Sequence, residues 1–132
     1  MIYVILFLSL LFIAVGYILT EQNAPYLLSG YNTMSKEDQA KFDLESYVPR
    51  FRKFHLFLGI SFGLIGLALH CFIGENASGI FLGIYPILAY IYFIWSTKHY
   101  DVSAKSKRKT NIGIGVMIAT LFFVIGLMMF GF

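Results

Sequence analysis

Four stretches of the chain, 2–19, 54–73, 80–96 and 112–132, contain no Asp, Glu, Lys or Arg. Each is 17 to 21 residues long. At about 1.5 Å of rise per helical residue, each reaches across a hydrocarbon core of about 30 Å, the shorter two with little tilt. A charged side chain at the centre of a spanning helix costs about 2.5–3.5 kcal/mol on the insertion scale, so this exclusion is what lipid-spanning segments require. Buried helices of a soluble core would show the same pattern, but four of them would leave too little of a 132-residue chain to cover them. Composition agrees: 58% of residues are hydrophobic and 13% charged, where soluble domains carry about 25% charged residues. The expectation is one all-α domain, an integral membrane four-helix bundle over residues 1–132.

The charges occupy the gaps. Segment 20–53 holds Lys36, Lys41, Arg50, Arg52 and Lys53 beside five acidic residues; segment 97–111 holds Lys98, Lys105, Lys107, Arg108, Lys109 and Asp101; segment 74–79 holds only Glu75. All ten Lys and Arg therefore lie in the first and third gaps. By the positive-inside rule these two are cytoplasmic, with both termini and 74–79 outside. Tyr17, Tyr92 and Trp95 fit an inner aromatic belt and Tyr3 an outer one. The first span lacks a basic leading segment and a small-x-small site before Glu21, so it reads as a retained helix, not a cleaved signal peptide.

Within the spans, Gly59, Gly63 and Gly66 place small residues on one helix face and allow close helix packing, within the chain or between chains. Gly115 and Ala119 form a weaker version in the fourth span. Pro86 removes a backbone donor in mid-span and predicts a kink. His70 is the one ionisable side chain well inside a span; it reads either as a site or as a neutral group near the outer interface. His55 lies 15 residues earlier, about 22 Å along a helix, too far to share a ligand with it. Cys71 is the single cysteine, and the three histidines have no metal-ligand spacing. No metal, no cofactor and no catalytic residue is expected, because nucleophile elbow, phosphate loop and paired intramembrane carboxylates are all missing.

One connector carries organised signals. Ser35 is a good helix N-cap with Asp38 three positions on, Glu37 and Asp38 suit the positive end of a helix dipole, and Glu37–Lys41 is a favourable i,i+4 pair. Ala40, Leu44 and Tyr47 make an apolar stripe. This predicts an amphipathic interfacial helix over 36–47, with Phe42 off the stripe and Pro49 ending it or starting the next helix. Just before it, Gly30, Tyr31, Asn32, Thr33, Met34 and Ser35 form a candidate loop that either caps free helix carbonyls or recognises a partner or lipid headgroup. Lys105, Lys107, Arg108 and Lys109 precede the fourth span. They are candidate contacts for anionic headgroups, or serve only to set orientation. Nucleic acid is not an expected partner, since the basic run is short and faces the membrane.

The string Leu28-Ser29-Gly30-Tyr31-Asn32-Thr33-Met34-Ser35-Lys36-Glu37-Asp38, followed by Lys41-Phe42-Asp43, resembles the signature of a family of small bacterial integral membrane proteins catalogued as a domain of unknown function. Its members carry Gly-Tyr-Asn-Thr-Met after a first membrane helix. The likeness covers about residues 1–73. Members are commonly three-helix proteins, so the fourth span is a departure. The resemblance implies a bacterial cytoplasmic-membrane protein and no assigned activity. A fainter likeness is to immunity proteins that protect bacilli from a secreted toxin and carry a Gly-Tyr-Arg-Thr loop; Asn32 stands at the Arg position, and no site is carried over.

The expected function is that of a non-enzymatic accessory, regulatory or immunity-type membrane protein, acting on membrane lipids, a second copy of the chain or a partner membrane protein. The alternative is a small oligomeric transporter. Small multidrug transporters are similar in size but use a carboxylate in the first helix, which 2–19 lacks. A redox or haem protein is the third reading; one cysteine excludes a thiol oxidase, and only His70 is placed for haem.

Overall fold

The structure, a computed structural model, describes residues 1–130. The last two positions of the expected fourth span lie outside the described residues. All regular structure among those described is helical: α1 (Ile2–Ile18), α2 (Ala24–Leu27), α3 (Ser29–Asn32), α4 (Lys36–Lys41), α5 (Leu44–Phe72), α6 (Glu75–Ser96), a 3₁₀ turn (Lys98–Tyr100) and α7 (Ala104–Met129).

Three of these helices, α5, α6 and α7, are long and apolar enough to cross a membrane, which marks the chain as a membrane protein. α1 is equally free of charge but has only 17 residues. The 29 residues of α5 rise about 43 Å, well beyond a hydrocarbon core of about 30 Å. Its uncharged part begins at Phe54, so the first turns, bearing Arg50, Arg52 and Lys53, project past the apolar layer.

The turn between α5 and α6 is made by Ile73 and Gly74. Both backbone N–H groups bond the Leu69 carbonyl, at 3.0 and 2.9 Å, and Gly74 takes φ +143°, a conformation that disfavours any side chain.

The helices pack mainly in chain order: α1 on α5, α5 on α6, α6 on α7. The long helices contact mainly their chain neighbours, with Phe12 of α1 also 6.4 Å from Tyr90 of α6, and the four-helix membrane bundle expected from the sequence is not confirmed. α7 has no extensive contact with α1 or α5 among the described residues, and none of its residues is buried. Lipid tails are as apolar as leucine, so in a membrane α7 gains little from burying its apolar surface against α1 or α5.

The amphipathic helix expected over 36–47 is two helices. α4 ends at Lys41, Phe42 is extended, and Asp43 caps a new helix by accepting the Ser46 N–H at 3.2 Å. Pro49 neither ends nor starts a helix; it lies inside the early turns of α5, where its missing N–H forfeits one bond. Ser35 does cap α4, accepting the Asp38 N–H at 3.2 Å, and Glu37 pairs with Lys41 at 3.7 Å.

Candidate functional site

The tightest packing is between α1 and α5. Gly59, Gly63 and Gly66 face α1. A Cβ on Gly59 would lie 2.5 Å from Ile13 Cγ1, and one on Gly63 2.7 Å from Ser9 Oγ. Gly66 is looser, at 3.2 Å from Ile5. Gly16 answers from α1, where a Cβ would meet that of His55 at 2.9 Å. The close approach lets the Ser9 hydroxyl donate to the Gly59 carbonyl at 2.6 Å. Gly115, by contrast, meets nothing within 4 Å.

His55 is the most buried ionisable side chain of this region, at 1% exposure. Its Nδ1–H donates to the Phe51 carbonyl at 2.9 Å, which in a neutral ring leaves Nε2 to accept the Tyr90 hydroxyl at 2.8 Å. This polar joint between α5 and α6 is invisible in sequence, because Tyr90 is 35 positions away. The signal that was available is the i+4 spacing of His55 and Gly59 on one face. His70 is half-buried in the last turn of α5, with Nδ1 buried and unpartnered among the described residues. No group of three or more His, Cys, Asp or Glu among the described residues is placed to hold a metal ion.

At the opposite end from Gly74 the connectors fold back onto the start of α5. Leu19, Ala24 and Val48 form a small buried cluster, with Leu28, Leu44, Tyr47 and Phe51 packed on it. The freed end of α1 is satisfied by Asn23, whose amide donates to the Ile18 carbonyl at 2.6 Å and whose Oδ1 accepts the Thr20 N–H at 2.7 Å. Arg52 lies 5.3 Å from the centre of the Tyr17 ring. This end of α1 is therefore capped by Asn23 and not by the Gly-Tyr-Asn-Thr loop.

Phe42, unpaired in the sequence pattern, is central here. Its ring lies 5.6 Å from Tyr31, 5.4 Å from Tyr47 and 5.9 Å from Tyr100. Tyr47 also contacts Tyr100 at 5.3 Å and Phe93 at 6.1 Å. These five rings line a pocket of about 160 Å³ whose wall includes Asp101. Asp101 Oδ2 is buried and has no hydrogen-bond partner among the described residues. Burial, with Tyr100 and Asp101 alongside, pushes the Tyr47 hydroxyl up to about 12. The Tyr100 hydroxyl shares a hydrogen bond of 2.7 Å with that of Ser46.

Gly30 lies within the single turn α3. Tyr31 and Met34 are half-buried and line the aromatic pocket, while Asn32, Thr33 and Ser35 are exposed. A second, more polar cleft of about 130 Å³ adjoins it, sharing Met34 and lined by Thr33, Ser35, Asp38, Ser103, Lys105 and Lys109 among others. Lys109 Nζ donates to Thr33 Oγ1 at 3.3 Å. The loop and the basic run, 76 positions apart, therefore meet. Lys107 and Arg108 are exposed and do not line the cleft. A third, wider groove between α5 and α6 carries Arg50 and Lys53 on its walls; the Arg50 guanidinium also donates to the Ser96 carbonyl at 3.4 Å.

No curated protein and no solved structure matches the chain. A family model does match, over residues 6–101, from within α1 to just past the 3₁₀ turn. It takes in the α1–α5 glycine interface except Ile5, the His55–Tyr90 joint and all of the aromatic pocket wall except Thr110, and it stops before α7. By that match the chain belongs to the family described as a domain of unknown function, DUF3784.

Proposed function

We propose that this chain is a non-enzymatic, four-span protein of a bacterial cytoplasmic membrane that acts by protein or lipid contacts at its basic, cytoplasmic end. The observation that carries the reading is the meeting of Thr33, Met34 and Ser35 with Lys105 and Lys109 around one cleft. Two segments distant in sequence meet there, and hydroxyls and ammonium groups beside the Asp38 carboxylate suit a hydrogen-bonding or zwitterionic partner. Arg50 and Lys53, on the walls of the neighbouring groove, extend the same chemistry.

Four spans follow if α1 crosses with α5, against which its buried residues Ile5, Ser9 and Gly16 are set. Its 17 residues rise about 26 Å, close to the thinner bilayers. The Lys and Arg distribution then puts both termini outside. A C-terminal alkaline phosphatase fusion should be active and a C-terminal cytoplasmic fluorescent reporter dark; the reverse pair overturns the topology.

For the contact role, mild crosslinking and pull-down from native membranes should yield a partner protein or a defined lipid. Asn32→Ala, at an exposed position, should reduce that yield while leaving detergent stability unchanged. Proton- or drug-coupled flux in reconstituted vesicles would replace this reading with transport.

A further inference from the structure

The aromatic pocket is a separate feature from the polar cleft beside it. Its walls come from five parts of the chain: α3 and its flanks with Tyr31, the α4–α5 junction with Phe42 and Tyr47, α6 with Phe93, the 3₁₀ turn with Tyr100 followed by Asp101, and α7 with Thr110. Hydrophobic residues brought together only to fill space would leave no cavity and would exclude a carboxylate. Here a cavity remains, and a carboxylate oxygen is buried in its neighbourhood without a donor. A buried, unpaired carboxylate oxygen is costly, so such a group points to a missing cationic or hydrogen-bonding partner.

The nearby cations of the chain do not supply it. Lys109 is bonded to Thr33 on the side of the other cleft. A metal ion does not suit the site either. Hard cations favour several charged or carbonyl oxygen ligands, and the pocket wall offers a single carboxylate beside neutral Tyr and Thr hydroxyls. What rings and one carboxylate do suit is an organic ammonium group: the rings attract a soft, weakly hydrated cation through their π faces while the carboxylate balances its charge. The volume of about 160 Å³ is about five times that of one liquid water molecule, the size of a group of four or five heavy atoms.

We propose that the pocket bounded by Tyr31, Phe42, Tyr47, Phe93, Tyr100 and Asp101 binds an alkylammonium group, either of a free small cation or of a zwitterionic lipid headgroup. The Tyr47 hydroxyl is neutral at pH 7 whether or not its surroundings raise it, so it adds no competing charge and is available as a donor. The lysine-lined cleft shares Met34 with the pocket.

The test uses the full chain in a maltoside detergent, free of ammonium groups, and titrates tetramethylammonium against tert-butanol. The two have the same number of heavy atoms and differ in charge. The expected result is saturable binding of tetramethylammonium and none of tert-butanol. Asp101→Asn, which keeps the side-chain shape, should weaken binding about tenfold or more, as should Tyr100→Ala. Equal binding of the neutral and charged probes, or no binding of tetramethylammonium, overturns the proposal. That comparison needs no variant, so it decides the matter even if a substitution prevents folding. Vesicles then separate the sources. If phosphatidylethanolamine or phosphatidylcholine competes with tetramethylammonium and phosphatidylglycerol does not, the ammonium is a lipid headgroup; if none competes, it is a free cation. The proposed contact role can fail without touching this result, because its readouts are partner capture and topology.

Discussion

At the residue scale the two kinds of glycine in the spans separate cleanly. Gly59 is closed in on by Ile13 and Ser9, and Gly115 faces open space. Gly59→Ala should therefore destabilise the protein in detergent by about 1–3 kcal/mol, the usual penalty for overpacking. Gly115→Ala should be neutral or stabilising by up to about 1 kcal/mol, since alanine is the better helix former. Chemical unfolding of both variants checks the contrast, and equal effects would refute the packing argument. Tyr47 supplies a pH prediction. Its hydroxyl rises from an ordinary value of 10 to about 12 on folding. The folded state thus holds a proton that the unfolded state gives up between those values. Stability is fully present below pH 10 and falls by about 1.4 kcal/mol per pH unit toward pH 12. Thermal unfolding across this range should show the loss, and Tyr47→Phe should flatten it. The spacing of Gly59, Gly63 and Gly66 was legible in the sequence. The partner helix was not, because the same spacing serves contacts within a chain and between chains. His55 was legible as a residue and not as a joint, since its hydroxyl partner is distant in sequence.

At the element scale the instructive failure is the connector over 36–47. Period 3.6 in Ala40, Leu44 and Tyr47 read as one amphipathic helix. The chain instead breaks at Phe42, because the ring gains contacts with Tyr31, Tyr47 and Tyr100 that a helical Phe42 off the stripe would forgo. Asp43 makes the break inexpensive by capping the next helix. Asp three residues before a serine is a visible cap signal; the tertiary reward for Phe42 is not visible, because Tyr100 lies beyond two spans. The uncharged stretches, in contrast, place the ends of α5 and α6 to within a residue but the starts of α5, α6 and α7 late by 10, 5 and 8 residues, because exclusion of charge marks the apolar part of a helix and not the charged turns that precede it. If Phe42 pins the connector, Phe42→Ala should free α3 and α4 while leaving α5 and α6 folded. Truncating a half-buried phenylalanine costs about 2 kcal/mol, somewhat below the range for full burial. Tryptic cleavage at Lys36 and Lys41 should then accelerate by a factor of roughly thirty where cutting follows local opening. An unchanged digestion rate would show that the ring cluster does not hold the segment.

At the scale of the whole molecule, the family match stops just short of α7, the long helix that buries no residue although it packs on α6. The match ends at residue 101, and α7, which begins at Ala104, buries none of its residues. α1, α5, α6 and the connectors form a unit with its own polar joints: Ser9 to Gly59, His55 to Tyr90, Ser61 to Tyr85. α7 leans on α6 through close contacts such as Met128 against Gly83. In lipid the apolar face of α6 loses little when α7 is removed, because acyl chains replace it. A chain ending after Val102 should therefore still insert, and its unfolding midpoint, followed by the fluorescence of Trp95, should stay within a few degrees of the full chain. Tetramethylammonium binding should respond differently. Removing α7 takes away Thr110 from the pocket wall and the Lys109 bond to Thr33 that ties the loop down. The truncated protein should bind the cation at least about fivefold more weakly, the effect of losing roughly 1 kcal/mol of ordering. Failure of the truncated chain to accumulate in membranes would mean that α7 belongs to the folding unit. Full stability with weakened binding would make α7 an addition to a three-span core, placed where it finishes a pocket that the core already outlines.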